Sequence, residues 1–109
     1  MVREFDGGAS RNSDEGKLEY AGFNSSVVDL AYAKYMHKHR FLEDGTMRDS
    51  DNWKKGIPQK QYIKSLVRHT MDVWLENRGY KSRDGKIDAI CGVLFNAQGW
   101  LFEELNKEE

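Results

Sequence analysis

"KIDAICGVLFNAQGWLFEELNK", residues 86–107, is the stretch whose reading decides the fold. Ile87, Ile90, Cys91, Leu94, Phe95, Gln98, Leu101, Phe102 and Leu105 recur at spacings of three and four, the period of one helix face. From Ile87 to Phe102 the polar residues are Asp88, Asn96 and Gln98, with no lysine, arginine or glutamate among them. A helix so apolar around its circumference needs cover on several sides, which three helices of one short chain barely supply. The pattern therefore predicts a bundle completed by a second copy of the chain. A separate stripe holds Asp88, Gly92, Asn96, Gly99 and Glu103. Two interior glycines cost about 1 kcal/mol each relative to alanine, so a neighbouring helix or a ligand is expected to approach closely there. An unpaired buried amide costs about 1–3 kcal/mol, so Asn96 needs a partner if it lies inside.

Two more helices precede this one. "NSSVVDLAYAKYMHKHR" opens on the N-cap candidates Asn24, Ser25 and Ser26 and carries Val28, Ala31, Tyr32, Tyr35, Met36 and His39 on one stripe, a helix over about 26–40. Lys38, His39 and Arg40 gather at its C-terminus, where the helix dipole favours positive charge. Pro58 suits the first turn of the next helix, about 58–78, whose apolar stripe is Ile63, Leu66, Val67, Thr70, Met71 and Trp74, with Gly79 at its end. No segment alternates with period two, so strands are not expected and the class is all-α. Residues 1–19 show neither period; they are expected to be a flexible segment, or one ordered by a ligand, in which Arg11 and Lys17 flank glycines able to fold over an anion. Residues 20–109 form one helical domain.

Charge and motifs exclude several functions. With 17 basic and 18 acidic side chains the chain lacks the positive field of a nucleic-acid-polymer binder. No apolar run reaches the roughly 20 residues of a membrane span, and the single cysteine, Cys91, has no internal partner, so a cytoplasmic setting is expected. HExxH, paired CxxC and dinucleotide fingerprints are absent, and Gly16-Lys17 is followed by Leu18 instead of a magnesium-binding hydroxyl. On the second helix Arg68 and His69 stand side by side, a guanidinium fork and a second donor suited to one phosphate. Arg68, Asp72 and Glu76 also read as a surface ladder of charge pairs.

"GASRNSDEGKLEYAGF", "YMHKHR", "DGTMRDSDNWKKGIP", "LVRHTMDVWLENRG" and "DAICGVLFNAQGWL" together resemble the phage-encoded dATP/dGTP diphosphohydrolase N-terminal domain, itself similar to the all-α, MazG-like nucleotide pyrophosphohydrolases. The resemblance spans nearly the whole chain and is most specific at Asn52-Trp53, Lys55-Gly56, Arg68-His69 and Asn96. It implies a helical nucleotide-binding protein of a bacterial virus, acting in the infected host as a dimer or tetramer. MazG-like enzymes hold Mg²⁺ with ExxE and ExxD carboxylates, and this chain has neither motif; the nearest substitutes are Asp72 with Glu76 and Asp84 with Asp88.

The expected site combines Asn52, Trp53, Lys54 and Lys55 on a rigid connection with Arg68, His69 and Asn96, Trp53 anchoring the loop or stacking on a base. The expected function is non-catalytic sequestration of a small phosphate-bearing nucleotide, linear or cyclic, to blunt host signalling, without a cofactor. The alternative is a Mg²⁺-dependent diphosphohydrolase that cuts a deoxynucleoside triphosphate to monophosphate and pyrophosphate, using Asp72, Glu76, Asp84 and Asp88.

Overall fold

A computed structural model describes residues 2–4, 6–13 and 16–107. Three helices form the chain: α1 (Ser26–Lys38), α2 (Gln59–Asn77) and α3 (Lys86–Asn106). The Ser25 hydroxyl caps α1 by accepting from the Val28 N–H at 3.3 Å, and Pro58 stands immediately before α2. The fold is all-α. An unexpected addition is an antiparallel hairpin of β1 (Val2–Glu4) with β2 (Ser10–Asn12), strands of three residues each and too short for a period-two pattern. Part of the segment expected to be flexible, residues 5, 14 and 15 among it, lies outside the described residues.

α2 and α3 form an antiparallel pair and make the most extensive contact in the chain, whereas α1 leans on α3 along a narrower edge. The polar-and-glycine stripe of α3 faces α2. A Cβ on Gly92 would sit 2.5 Å from the His69 ring, and one on Gly99 would collide with the ring of Tyr62. Tyr62 is 1% exposed, Ala89 and Cys91 are buried, and Asn96 is buried with its Nδ2 donating to the Gly92 carbonyl at 2.7 Å. The expected close approach at the two glycines is therefore made by side chains of α2, and Asn96 finds a backbone partner.

The apolar stripes behave differently. Ile63, Val67, Met71 and Trp74 of α2 and Ile87, Ile90, Leu94, Leu101 and Leu105 of α3 are exposed. Inside one chain, α2 presents Tyr62, Ser65, His69 and Asp72 inward, because only the glycine stripe of α3 lets a helix come near enough to bury ring side chains.

Gly99→Ala should lower stability. The added methyl overpacks Tyr62, at about 1–3 kcal/mol, and helix propensity returns only about 1 kcal/mol. Thermal melting should show a fall; a rise, as for a solvent-facing helix glycine, would contradict the packing.

Candidate functional site

A cavity of about 420 Å³ opens where the C-terminal end of α1 meets the connection to α2. The connection begins with a tight turn. Phe41 and Met47 pair as an isolated bridge, Leu42 N–H donates to the Thr46 carbonyl at 2.8 Å, and Gly45 adopts φ +86°. Asp44 ties the turn by accepting from the Thr46 hydroxyl at 2.6 Å and its N–H at 3.0 Å; these bonds hold the Asp44 carboxyl below its ordinary range. The result sets two arginines side by side: Arg48 N–H donates to the Arg40 carbonyl at 2.9 Å, and Arg40 Nε donates to the Arg48 carbonyl at 2.8 Å. Both line the cavity.

Past this turn a 3-10 helix, Asn52–Lys55, wedges Trp53 against α3. Its ring lies 5.0 Å from Phe102 and 6.3 Å from Phe95, both tilted edge-on, and Ile57 N–H donates to Glu103 Oε1 at 3.2 Å. The rigid connection thus uses Trp53 first as an anchor. Trp53 and Asn52 still line the cavity, together with Tyr35 and Met36 from α1, His39 at its C-cap, Ser65 and His69 from α2, and Phe95 and Asn96 from α3.

The last wall comes from the turn before α3. Glu76 Oε1 accepts from Ser82 N–H at 2.8 Å and from its hydroxyl at 2.9 Å, and Ser82 Oγ accepts from Gly85 N–H at 3.2 Å. This holds Arg83 and Asp84 at the cavity edge. Arg83 Nη2 lies 2.6 Å from Asp72 Oδ2. Three arginines, Arg40, Arg48 and Arg83, line the cavity beside the carboxylates of Asp49 and Asp84, and with Asp72 paired to Arg83 these charges balance. Burial pushes the Tyr35 phenol up, with the charges of Asp84 and Asp88 adding, so it remains a hydroxyl donor. Burial and then the charges of Arg83 and Arg68 push the His69 imidazolium down, so this ring is held neutral.

The expected site is only partly assembled. Asn52, Trp53, His69 and Asn96 meet at the cavity. Arg68 does not: neighbouring residues on a helix diverge by about 100°, so His69 turns inward while Arg68 faces solvent and donates to Ser65 Oγ at 3.2 Å. Lys54 and Lys55 are exposed and stand outside the lining, as do Arg11 and Lys17. The basic groups that do line it are Arg40, which reads in sequence as a helix-terminating charge, Arg48 at the start of the charged connection, and Arg83 in the turn "YKSRDG". Their only sequence signal is basic residues bordering turns.

The four carboxylates of the alternative also divide. Glu76 is committed to Ser82 and Asp88 to Lys38. Asp72 and Asp84 remain together, joined by His69, with ligand atoms of all three within 4.8 Å of one another. No protein-family model, curated protein or solved structure matches this chain.

The bonds from Ser82, backbone N–H first, hold the Glu76 carboxyl below its ordinary value of 4.5. A depressed carboxyl contributes stability that is complete above that unfolded value and is lost as pH falls through the folded one. Acidification below about pH 4.5 should therefore loosen the turn at 78–85. Glu76→Ala should loosen it already at neutral pH, seen as faster amide exchange at Ser82 and Gly85. Unchanged exchange at both amides would show that Glu76 does not hold the turn.

Proposed function

We propose that the cavity binds a small phosphate-bearing nucleotide, linear or cyclic, and holds it intact, a sequestering role in the cytoplasm of a host infected by a bacterial virus. One observation carries this reading: three arginines, Arg40, Arg48 and Arg83, line a cavity of about 420 Å³ together with Tyr35 and Trp53. That size suits a nucleotide-scale ligand. Guanidinium forks match phosphate oxygens two at a time, and aromatic edges and faces accept a base. Asn96 and His69 supply polar groups at the floor. The phage setting and the anti-defence role rest on the family resemblance alone. Holding is favoured over cutting because Glu76 and Asp88 are engaged elsewhere. The diphosphohydrolase reading keeps one observation in its favour, the convergence of Asp72, Asp84 and His69.

The proposal includes a homo-oligomer. The chain exposes 8950 Å², whereas a compact monomer of 12.7 kDa exposes about 6,200 Å² by the usual scaling. Its radius of gyration is 19.1 Å, against about 13 Å for a compact domain of this length. The exposed surface includes the outward apolar stripes of α2 and α3. An excess of this order is what an obligate dimer interface buries. Light scattering at micromolar concentration should give at least a dimer mass; a monomer would contradict this part of the proposal.

Titration calorimetry against a panel of linear and cyclic nucleotides, in EDTA, tests the binding. Arg48→Ala should weaken affinity about 10- to 100-fold, the value of a lost charge-assisted contact, while Lys54→Ala and Lys55→Ala leave it unchanged. Nucleotide recovered after incubation with Mg²⁺ and heat denaturation should be intact. Pyrophosphate in that eluate would establish the diphosphohydrolase instead, and equal affinities in Arg48→Ala and the native chain would remove the cavity from the account.

A further inference from the structure

His69 and Asp72 lie one turn apart on the inner face of α2, and Asp84 reaches them from the turn before α3. Their ligand atoms all lie within 4.8 Å of one another. Around a first-row dication, with bonds near 2.0–2.2 Å, neighbouring ligand atoms stand roughly 3–4 Å apart. Small side-chain rotations therefore suffice to bring the three onto one ion. The set contains one imidazole nitrogen and two carboxylates. That mixture suits Mn²⁺ or Zn²⁺ better than Mg²⁺, which is held by oxygen ligands. A second observation concerns His69 alone: its Nδ1 is buried and has no hydrogen-bond partner among the described residues, although buried ring nitrogens are normally satisfied.

Arg83 stands beside this cluster. Its Nη2 lies 2.6 Å from Asp72 Oδ2, and the two side chains differ in burial, 55% exposed for Arg83 against 11% for Asp72. The carboxylate is fixed in the helix pair; the guanidinium is long, wet and carried by a turn. Arg83 also lines the cavity, so it has a second place to go.

We propose that His69, Asp72 and Asp84 form a binding site for a divalent cation of the Mn²⁺ or Zn²⁺ class, with Arg83 as its exchangeable internal occupant. Cation entry displaces the guanidinium from Asp72 and releases it toward the cavity. The cation and an anion in the cavity then bind cooperatively, each raising the other's affinity by the same factor. The cation site stands on its own geometry; the cooperative half rests on the nucleotide reading above.

The test is titration of Mn²⁺ alone, read by the loss of the free-ion paramagnetic resonance signal. The native chain should bind one Mn²⁺ per protomer, Asp84→Asn at least tenfold more weakly. Arg83→Ala should bind severalfold more tightly than the native chain because the internal cation is gone, whereas Arg83→Lys, which keeps the charge, should not. Circular dichroism melts confirm that the variants are folded. Saturable binding undiminished in Asp84→Asn, or no binding in either the native chain or Arg83→Ala, would overturn the site. Equal affinity in the native chain and Arg83→Ala would overturn the role of Arg83. Calorimetry with dATP, with and without Mn²⁺, separates the two readings: Mn²⁺ binding without dATP binding in either buffer removes the nucleotide but leaves the cation site, and dATP affinity unchanged by bound Mn²⁺ overturns the coupling.

Discussion

The seating of Tyr62 and His69 on the two bare glycines of α3 is the contact from which the rest of the site follows. Because Gly99 and Gly92 carry no Cβ, α2 approaches α3 closely enough to bury a phenol and to enclose an imidazole nitrogen. That approach fixes the register of the antiparallel pair. It leaves Asp72 beside the turn that delivers Arg83 and Asp84, and it puts His69 and Asn96 on a common floor. Trp53 then closes one end by wedging against Phe95 and Phe102, and the remaining wall comes from Tyr35 of α1 with His39 and Arg40 just past its end. Remove the glycines and the cavity loses its floor as well as the helix pair its contact.

The same packing explains the distribution of hydrophobicity. The seam between α2 and α3 is built around the rings of Tyr62 and His69 on Gly99 and Gly92, while Ile63, Val67 and Met71 of α2 and Ile87, Ile90, Leu94, Leu101 and Leu105 of α3 are exposed. Apolar area left in water adds nothing to the stability of a lone chain, and burial of apolar area is the dominant favourable term in folding. In the proposed oligomer each helix therefore has two occupied faces, one toward its own partner helix and one toward the other copy.

The helices were legible from sequence because their periodicity, caps and breakers agree: Ser25, Pro58, Gly79 and Gly85 fall where the chain enters or leaves a helix. The close-approach stripe Gly92, Asn96 and Gly99 was legible too, since interior glycines need a reason. What the pattern could not tell was which stripe faces inward. Amphipathic reasoning assigns the most apolar face to the chain's own core, and on α2 it selected Ile63, Leu66, Val67, Thr70, Met71 and Trp74, of which Leu66 is half-buried and the others are exposed. The site divided in the same way. Asn52, Trp53, His69 and Asn96 carry local signals and do meet. Arg40, Arg48 and Arg83 are brought together by a hairpin turn and by the Glu76–Ser82 clamp, tertiary geometry that no spacing along the chain encodes. The hairpin at β1 and β2 escaped notice because three-residue strands hold too few residues for a period to be counted.

The three tryptophans offer the most direct test of the proposed cavity. Trp53 lines it, Trp74 is exposed on the outer face of α2, and Trp100 Nε1 donates to Glu104 at 3.2 Å within α3. Their indole N–H groups give separate signals in a nitrogen-15 correlation spectrum. Titration with the tightest-binding nucleotide of the panel, in EDTA, should move the Trp53 indole signal and the side-chain amide of Asn96, and leave the Trp74 and Trp100 indoles in place. Movement of Trp74 or Trp100 with Trp53 stationary would place the ligand elsewhere and contradict the account.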